Sequence, residues 1–453
     1  MAEDDSDERI MEEEEAMIQS MNDNEPIIYD IEDRYNIAYI IFYIFGVTSV
    51  LPWNMFITAN KYYNVKFQNV NNTNEHCTVP DNENKTYLQN SFENYFALAA
   101  MIPQVISLTI TTILQHSVSV KTRMHVSIPG ILALFVLTTI LTVVNTDDWQ
   151  EIFFITTLIS VILVNVLSAI FCGTVFGLGG VFPPKYTQAL MGGQGLGGVL
   201  PALLSILTTA VSNNHCVSAF IYFSCAVLSV VAAFVAFRIL IKLKYADAFL
   251  NQIDLKSKRL ELSDSWETKL TLKPPFVFIF KEILNPATLV TLVFLVTLTC
   301  FPGLTSSIQS IRDPSNSWTD VYFTAVTCFL LFNLMDWFGR SLTGFLQWPN
   351  ENSPMLLSIL VVVRFAFIPL FMLCNISSSS LPLVFNHDAY PIIFTIFFAA
   401  SNGYLGSLCM MYGPRKVQKG YRETAGNMMA LFLALGLALG SLLSFGMRMI
   451  ILD

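Results

Sequence analysis

The stretch Phe332-Asn333-Leu334-Met335-Asp336-Trp337-Phe338-Gly339-Arg340-Ser341-Leu342-Thr343-Gly344 decides the fold. It sets an acid and an arginine four residues apart inside an otherwise apolar run from Val321 to Trp348. Such a run is long enough for a helix that crosses a bilayer, which needs about 20 residues. On a helix, Phe329, Asn333, Asp336 and Arg340 fall at i, i+4, i+7 and i+11 and share one face. A lone charge at mid-membrane costs about 2.5–3.5 kcal/mol even on the gentlest scale. That face therefore looks into a bundle or a watered cavity and not into lipid. Two readings fit: an ion pair that clasps helices together, and a polar substrate site on a transport path. Intramembrane charge points by default to the second.

The rest of the composition agrees with a membrane protein. Hydrophobic residues make up 53% of the 453 and charged residues 13%. The net charge of −9 is local: residues 1–34 hold 14 of the 34 acids and only Arg9 and Arg34 as basic residues, leaving 20 acids against 23 basic residues beyond them. This acidic tail, 1–35, has no apolar periodicity and reads as disordered and cytoplasmic. It has no basic start followed by an apolar core, so it is not read as a signal peptide. The eight cysteines have no metal-ligand spacing, and most lie in apolar runs, where cysteine acts as a small hydrophobe. Cys77 and Cys216 fall in loops, and a bridge between them is left open.

Eleven apolar spans follow, at about 36–59, 91–116, 124–145, 151–181, 187–211, 217–241, 286–309, 320–347, 354–376, 389–411 and 423–450. With the N-terminus inside, the short inner connections carry Lys121, Arg123, Lys185, Arg415, Lys416 and Lys419, and the long segment 242–285 carries eight more basic residues. The outer segments hold few. This bias sets the N-terminus in the cytoplasm and the C-terminus outside. Segment 242–285 reads as a cytoplasmic linker with some helix. It divides an N-terminal bundle of six spans, 36–241, from a C-terminal bundle of five, 286–453. Two bundles suit a carrier in which one half rocks against the other around a midplane site.

Further residues stand out for their chemistry. Pro52 in Leu51-Pro52-Trp53-Asn54 marks a kink in the first span. Trp53 and Asn54 would then offer a flat aromatic face and an amide to a cavity, or else Trp53 belongs to an interfacial belt. The run Gly192-Gly193-Gln194-Gly195-Leu196-Gly197-Gly198 has the small-residue spacing of close helix packing, and Gln194 adds a donor and an acceptor. Arg364 and Glu423 lie nearer span ends and read as members of structural or gating pairs. No zinc spacing, nucleophile motif or pair of aspartates in separate spans points to an enzyme. Eleven spans disfavour a seven-helix receptor, no ring-forming charged filter points to a channel, and no cofactor or metal is called for.

Taken together, these motifs resemble the equilibrative nucleoside transporters over nearly the whole chain after residue 35. The resemblance rests on Leu51-Pro52-Trp53-Asn54, the Gly-Gly-Gln-Gly stretch at 192–195, Phe332-Asn333 through Asp336-Trp337, and Gly339-Arg340-Ser341-Leu342-Thr343. It extends through Ser401-Asn402-Gly403-Tyr404-Leu405-Gly406, Tyr412-Gly413-Pro414, Glu423-Thr424-Ala425-Gly426 and Leu435-Gly436-Leu437-Ala438-Leu439-Gly440. It implies an all-α polytopic membrane protein of eleven transmembrane helices in a major-facilitator-like six-plus-five arrangement. It also implies facilitative transport of purine and pyrimidine nucleosides, such as adenosine, uridine and inosine, across the plasma membrane. Carried over, it implies that Trp53 packs on the nucleoside and Gln194 bonds the base. Asp336 and Arg340 bind ribose hydroxyls, Asn333 and Phe329 line the same face, and Val50, Ile57 and Phe301 line narrow parts of the path. Ile57 and Val50 depart from the methionine and leucine common in the family, which bears on inhibitor sensitivity and gating. An organic-cation, monoamine or proton-linked nucleoside carrier of the same family is the alternative.

Asn71-Asn72-Thr73 and Asn84-Lys85-Thr86 are glycosylation sequons in the first outer loop, 60–90. Replacing both Asn71 and Asn84 with Gln is expected to abolish any glycosidase-sensitive shift in gel mobility while uptake continues. A shift that persists would point to Asn375, in Asn375-Ile376-Ser377, or to a different topology.

Overall fold

The computed structural model describes residues 32–68, 86–115, 117–211, 214–250, 275–312, 319, 322–376 and 380–452. Asn71, Asn84, Cys77 and most of the acidic tail lie outside these residues. Among the described residues nine helices are long and apolar enough to cross a membrane, and the chain is a multi-pass membrane protein. The helices are α1 Ile37–Thr58, α2 Tyr87–Leu114, α3 Val120–Val143, α4 Gln150–Val181, α5 Pro184–Val211 and α6 His215–Leu240. After the linker come α7 Phe276–Cys300, α8 Leu331–Leu342, α9 Pro354–Val363, α10 Ala389–Tyr412 and α11 Arg422–Leu452. A 3-10 turn, Arg364–Ala366, and the helix Phe367–Met372 continue α9. The two outside the nine are α2, for which the apolar stretch Leu98–Leu114 is counted among the described residues, and α8, whose α-helical part is 12 residues long. The expected count of eleven spans is thus not established by helix length and composition alone.

Local chemistry sets the helix starts. Thr86 and Gln89 form a reciprocal cap at the head of α2: Thr86 Oγ1 accepts from Gln89 N at 3.2 Å and Gln89 Oε1 from Thr86 N at 2.8 Å. Asn214 Oδ1 accepts from Cys216 N and Val217 N at the head of α6, both at 3.1 Å. Asp33 accepts from Ala38 N at 3.0 Å and Tyr39 N at 3.1 Å, satisfying free amides at the head of α1. Cys216 is disulfide-bonded, and the other six described cysteines are free.

Two spans differ from their expected outlines. Helix α7 begins at Phe276, ten residues before 286, because the helix carries Lys281 and Glu282 beyond the apolar run and tolerates Pro286. The span expected at 320–347 is a π-helical turn, Ala325–Leu330, followed by only 12 residues of α-helix. Its apolar tail is not helical. Tyr404 of α10 draws the chain into a loop, taking a bond from Trp348 N at 3.0 Å and donating to Trp348 O at 2.6 Å. Tyr412 donates to Pro349 O at 2.9 Å.

Within the first half, α1 packs along α5 and α6, α2 along α4, and α3 along α4 and α6. Within the second, α7 packs along α10 and α11, and α8 along α10. The halves meet along two seams, α5 against α8 and α10, and α11 against α2 and α4. Backbones approach so closely that side chains are excluded at defined points. A methyl group on Gly193 would overlap the carbonyl oxygen of Tyr43 in α1, and one on Gly403 in α10 would overlap that of Asp336 in α8. Without a hydrophobic drive between helices in lipid, such close packing is what joins them.

The third sequon asparagine is engaged in this fold. Asn375 Nδ2 donates to Gln309 O at 3.1 Å, and Gln309 N donates to Asn375 O at 2.9 Å. The amide nitrogen that glycosylation would use is therefore already bonded.

Overpacking a close-packed site costs about 1–3 kcal/mol. Gly193→Ala is accordingly expected to lower the thermal stability of the detergent-solubilised protein by several degrees. Gly446→Ala, where nothing lies within 4 Å of the added carbon, should leave it unchanged. Scanning fluorimetry on the purified pair checks this.

Candidate functional site

The two halves share a buried polar network at the middle of the bundle. Arg340 Nε donates to Asp336 Oδ2 at 2.7 Å across one turn of α8. Arg340 Nη1 crosses the seam to Gln194 Oε1 of α5 at 3.1 Å and rests 3.9 Å from Met191 Sδ. Gln194 Nε2 donates in turn to Ser49 Oγ of α1 at 3.1 Å. On the other side, Asn402 Nδ2 of α10 donates to Asp336 Oδ1 at 2.6 Å. Each carboxylate oxygen thus has a donor. Asp336, Arg340 and Gln194 are all buried, at 6%, 7% and 7% exposure. A charged pair survives such burial only with its remaining polar sites satisfied.

The expected shared face of α8 holds in part. Asp336 and Arg340 are buried together, while Phe329 lies in the π turn and is exposed. A π turn uses i→i+5 bonds and so shifts the angular phase of everything before it. Asn333 is half-buried, donates from Nδ2 to Phe329 O at 2.8 Å, and sits across the seam against Gly198. Trp53 is half-buried and stacks on Phe96 of α2, with centroids 5.3 Å apart and planes 13° off parallel, so one indole face is occupied. Asn54 Nδ2 donates to Gly197 O at 3.2 Å and ties α1 to α5. Phe301 stacks on Phe332 at 3.8 Å and meets Phe329 edge-on at 5.9 Å. Val50 is partly buried and Ile57 exposed.

A second cluster holds the halves together at one end, where α2 ends, α3 begins and α11 begins. Arg123 Nη2 and Glu423 Oε1 form an ion pair at 2.6 Å. Gln115 Nε2 donates to Thr424 Oγ1 at 2.6 Å, and Asn427 Nδ2 donates to Gln115 Oε1. Glu423 thereby has the pairing its position implied. Arg364 differs: it is not at a span end in effect but 1% exposed in the interior, and its partners are neutral oxygens and not an acid. Trp53, Asn54, Ile57, Phe329 and Asn333 lie on the side of the central network away from the Arg123 clasp, since α1 runs away from that end and α8 toward it.

Sequence reasoning singled out Asp336, Arg340 and Gln194, and the fold brings all three together. It gave no site role to Ser49 or Asn402, which complete the bonding, nor to Thr297 of α7, whose Oγ1 donates to Asn402 Oδ1 at 2.7 Å. Nor did it single out Tyr43, whose hydroxyl accepts from Trp337 Nε1 at 2.7 Å across the seam. Asn402 had a signal, an amide beside Gly403 inside an apolar span. The hydroxyls had none, because serine and threonine in a membrane helix usually bond their own backbone.

Comparison with known proteins shows the family and the fold. Residues 158–449 match the family model described as nucleoside transporter. Equilibrative nucleoside transporter 1 of Rattus norvegicus is 36% identical, over 93% of this chain and 98% of that protein. Equilibrative nucleoside transporter 2 of Homo sapiens is 35% identical, over 91% of this chain and 97% of that protein. Among solved structures, the MFS (major facilitator superfamily) proton:xylose symporter XylE superposes with a TM-score of 0.55 at 10% identity, over 89% of this chain and 86% of that one. The E. coli fucose:proton symporter FucP gives 0.53 at 8% identity, over 92% and 96%. These two speak for the fold alone, a major-facilitator arrangement of two helical halves. From its sequence relatives and its matched family model, the chain belongs to the nucleoside transporter family.

Proposed function

We propose that this protein moves purine and pyrimidine nucleosides across the plasma membrane, down their gradient, by alternating access. It is a carrier and not an enzyme. The observation that supports this best is the contact of Arg340 with Gln194 across the seam. A nucleoside has a flat base and a hydroxyl-rich sugar. The base calls for an aromatic face and an amide, and the sugar for charge-assisted hydrogen bonds. Trp53, half-buried and stacked on Phe96 by one face, would offer its other face to the base, and Gln194 on the same half would offer its amide. Asp336 accepts from ribose hydroxyls and Arg340 donates to their oxygens, from the other half. Asn54, Phe329 and Asn333 complete the binding site, and Val50, Ile57 and Phe301 line the way to it. Gln194 and Arg340 bond each other across the seam, so a permeant that bonds both would exchange into an existing hydrogen bond. It bridges the halves, and closure follows from its differential contact with the two states.

In this reading the Arg123–Glu423 clasp lies at the cytoplasmic end, together with the start of α1, the linker 242–285 and the tail. The first loop, with its sequons, lies outside. Asp336 is the acid placed deep in a span and its two oxygens are already bonded, which supports uncoupled transport with no separate proton carrier.

Uridine uptake in cells without nucleoside carriers of their own is expected to be saturable. It should equilibrate without concentrating, and change little between mildly acidic and neutral medium. Concentrative uptake abolished by a protonophore would overturn the uncoupled reading, and serotonin competing better than adenosine would favour a monoamine carrier. A hydrogen bond to a charged group contributes about 1.5–3 kcal/mol, or roughly 10- to 150-fold in affinity. Asp336→Asn and Arg340→Lys should each weaken uridine transport by that order at normal surface level. Lysine keeps the charge but loses the planar fork. Both should lose the preference of the parent protein for ribonucleosides over 2′,3′-dideoxynucleosides. Equal loss for both ligand classes would leave Trp53 and Gln194 as the main recognition elements.

A further inference from the structure

Arg364 is the large charged side chain for which the reading above has no use. It sits where α9 gives way to the turn Arg364–Ala366, 1% exposed. Its Nη2 donates to Thr297 Oγ1 of α7 at 2.8 Å and to Phe398 O of α10 at 3.4 Å, and its Nη1 to Asn402 Oδ1 at 3.4 Å. Its carbon plane lies 5.1 Å over the Phe398 ring, and its Nε has no partner. Thr297 Oγ1 lies 2.7 Å from Asn402 Oδ1. The far end of Asn402, Nδ2, faces Asp336 Oδ1.

Donor and acceptor chemistry gives this chain of contacts a direction. A guanidinium only donates and a carboxylate only accepts. One side chain set between them must show an oxygen to the first and an N–H to the second, which a carboxamide does. Arg364 and Thr297 fix which way round the Asn402 amide lies, and the amide then holds Asp336 Oδ1. Thr297, Asp336, Arg364 and Asn402 come from α7, α8, α9 and α10, all in the second half. Arg340, by contrast, also reaches across to Gln194 in the first half. If the halves separate during transport, the crossing contact breaks and the bond from Asn402 does not.

We propose that Arg364 is a specificity-determining positioning residue: through Thr297 and Asn402 it sets the orientation in which Asp336 meets the sugar, while Arg340, held to Asp336 by Nε, exchanges its Nη1 donor between Gln194 and the permeant. This deepens the assignment of Asp336 to the ribose and rests on it. Arg364 itself touches no permeant.

The test is uptake and competition in carrier-deficient cells expressing the full chain, normalised to surface protein. Uridine and 2′,3′-dideoxyuridine are the probes. Arg364→Gln is expected to raise the KM for uridine about tenfold, as for a lost bond to a charged group. It should erase most of the ribose preference while dideoxyuridine uptake per surface molecule holds. Thr297→Val, which removes only the hydroxyl, should act in the same direction, and Thr297→Ser should restore the preference that Val loses. If Arg364→Gln fails to reach the surface, the Val and Ser pair decides. An unchanged KM and unchanged ribose preference, with only surface amount or Vmax reduced, would make Arg364 a structural residue and overturn the proposal. A parent protein that shows no ribose preference would overturn the sugar assignment itself, and that is seen before any substitution is made.

Discussion

A carboxylate in the middle of a membrane protein has no water to fall back on, and the arrangement of the second half answers that one constraint. Removing one partner from a buried ion pair costs about 3–5 kcal/mol, because the other charge stays behind unpaired. Asp336 is accordingly held from two sides, by Arg340 and by Asn402. Those two bonds require α8 and α10 to lie against each other, which Gly403 permits by leaving room for the Asp336 carbonyl. Asn402 in turn requires donors behind it, and Arg364 and Thr297 bring in α9 and α7. Four helices are thus fixed by the needs of one acid.

The first half is built on different terms. Its helices join through close backbone contact and aromatic packing, as where Phe56 meets Phe96, Phe135 and Phe223 at 6.1, 5.1 and 5.2 Å. Its polar side chains at the centre, Gln194 and Ser49, are neutral. In the proposed site a nucleoside between the halves would meet a flat aromatic and amide surface on one side and fixed charge on the other, an asymmetry that matches the two ends of the proposed permeant.

Much of this was legible in the sequence because charge inside an apolar run is costly. The cost of burying Asp336 and Arg340 pointed to a helical bundle that holds both inside it, and the glycine spacing around Gln194 pointed to close packing. What could not be read has definite causes. The π turn at Ala325–Leu330 shifts the phase of Phe329, and hydropathy cannot register a change in helix winding. The loss of helix after Leu342 depends on hydroxyls of Tyr404 and Tyr412 that arrive from α10, a long-range contact. Arg364 stands where α9 ends, but its burial and its partners could not be read, because those partners are neutral oxygens on two other helices and no acid in the sequence marks them. The interfacial role of Arg123 was hidden for the opposite reason: as a loop cation it already had an explanation in the orientation of the chain.

The division of bonds between and within halves also sets what a conformational change costs. The Asp336–Arg340 pair lies within α8, so moving the halves apart leaves it whole. At the centre the crossing bonds are Arg340 to Gln194 and Trp337 to Tyr43, each between a donor and a neutral acceptor. A neutral hydrogen bond contributes about 0.5–1.5 kcal/mol net, and one to a charged group about 1.5–3. Both lie at or below the low end of the cost of stripping a partner from a buried ion pair. Among the described residues the crossing ion pair is Arg123 with Glu423, at one end of the bundle. Parting there admits water, which resolvates both charges and offsets the lost attraction. A bistable carrier needs its states within a few kcal/mol of each other. Keeping the expensive pair inside one half, the moderate bonds on the central seam and the crossing ion pair at the watered end meets that need.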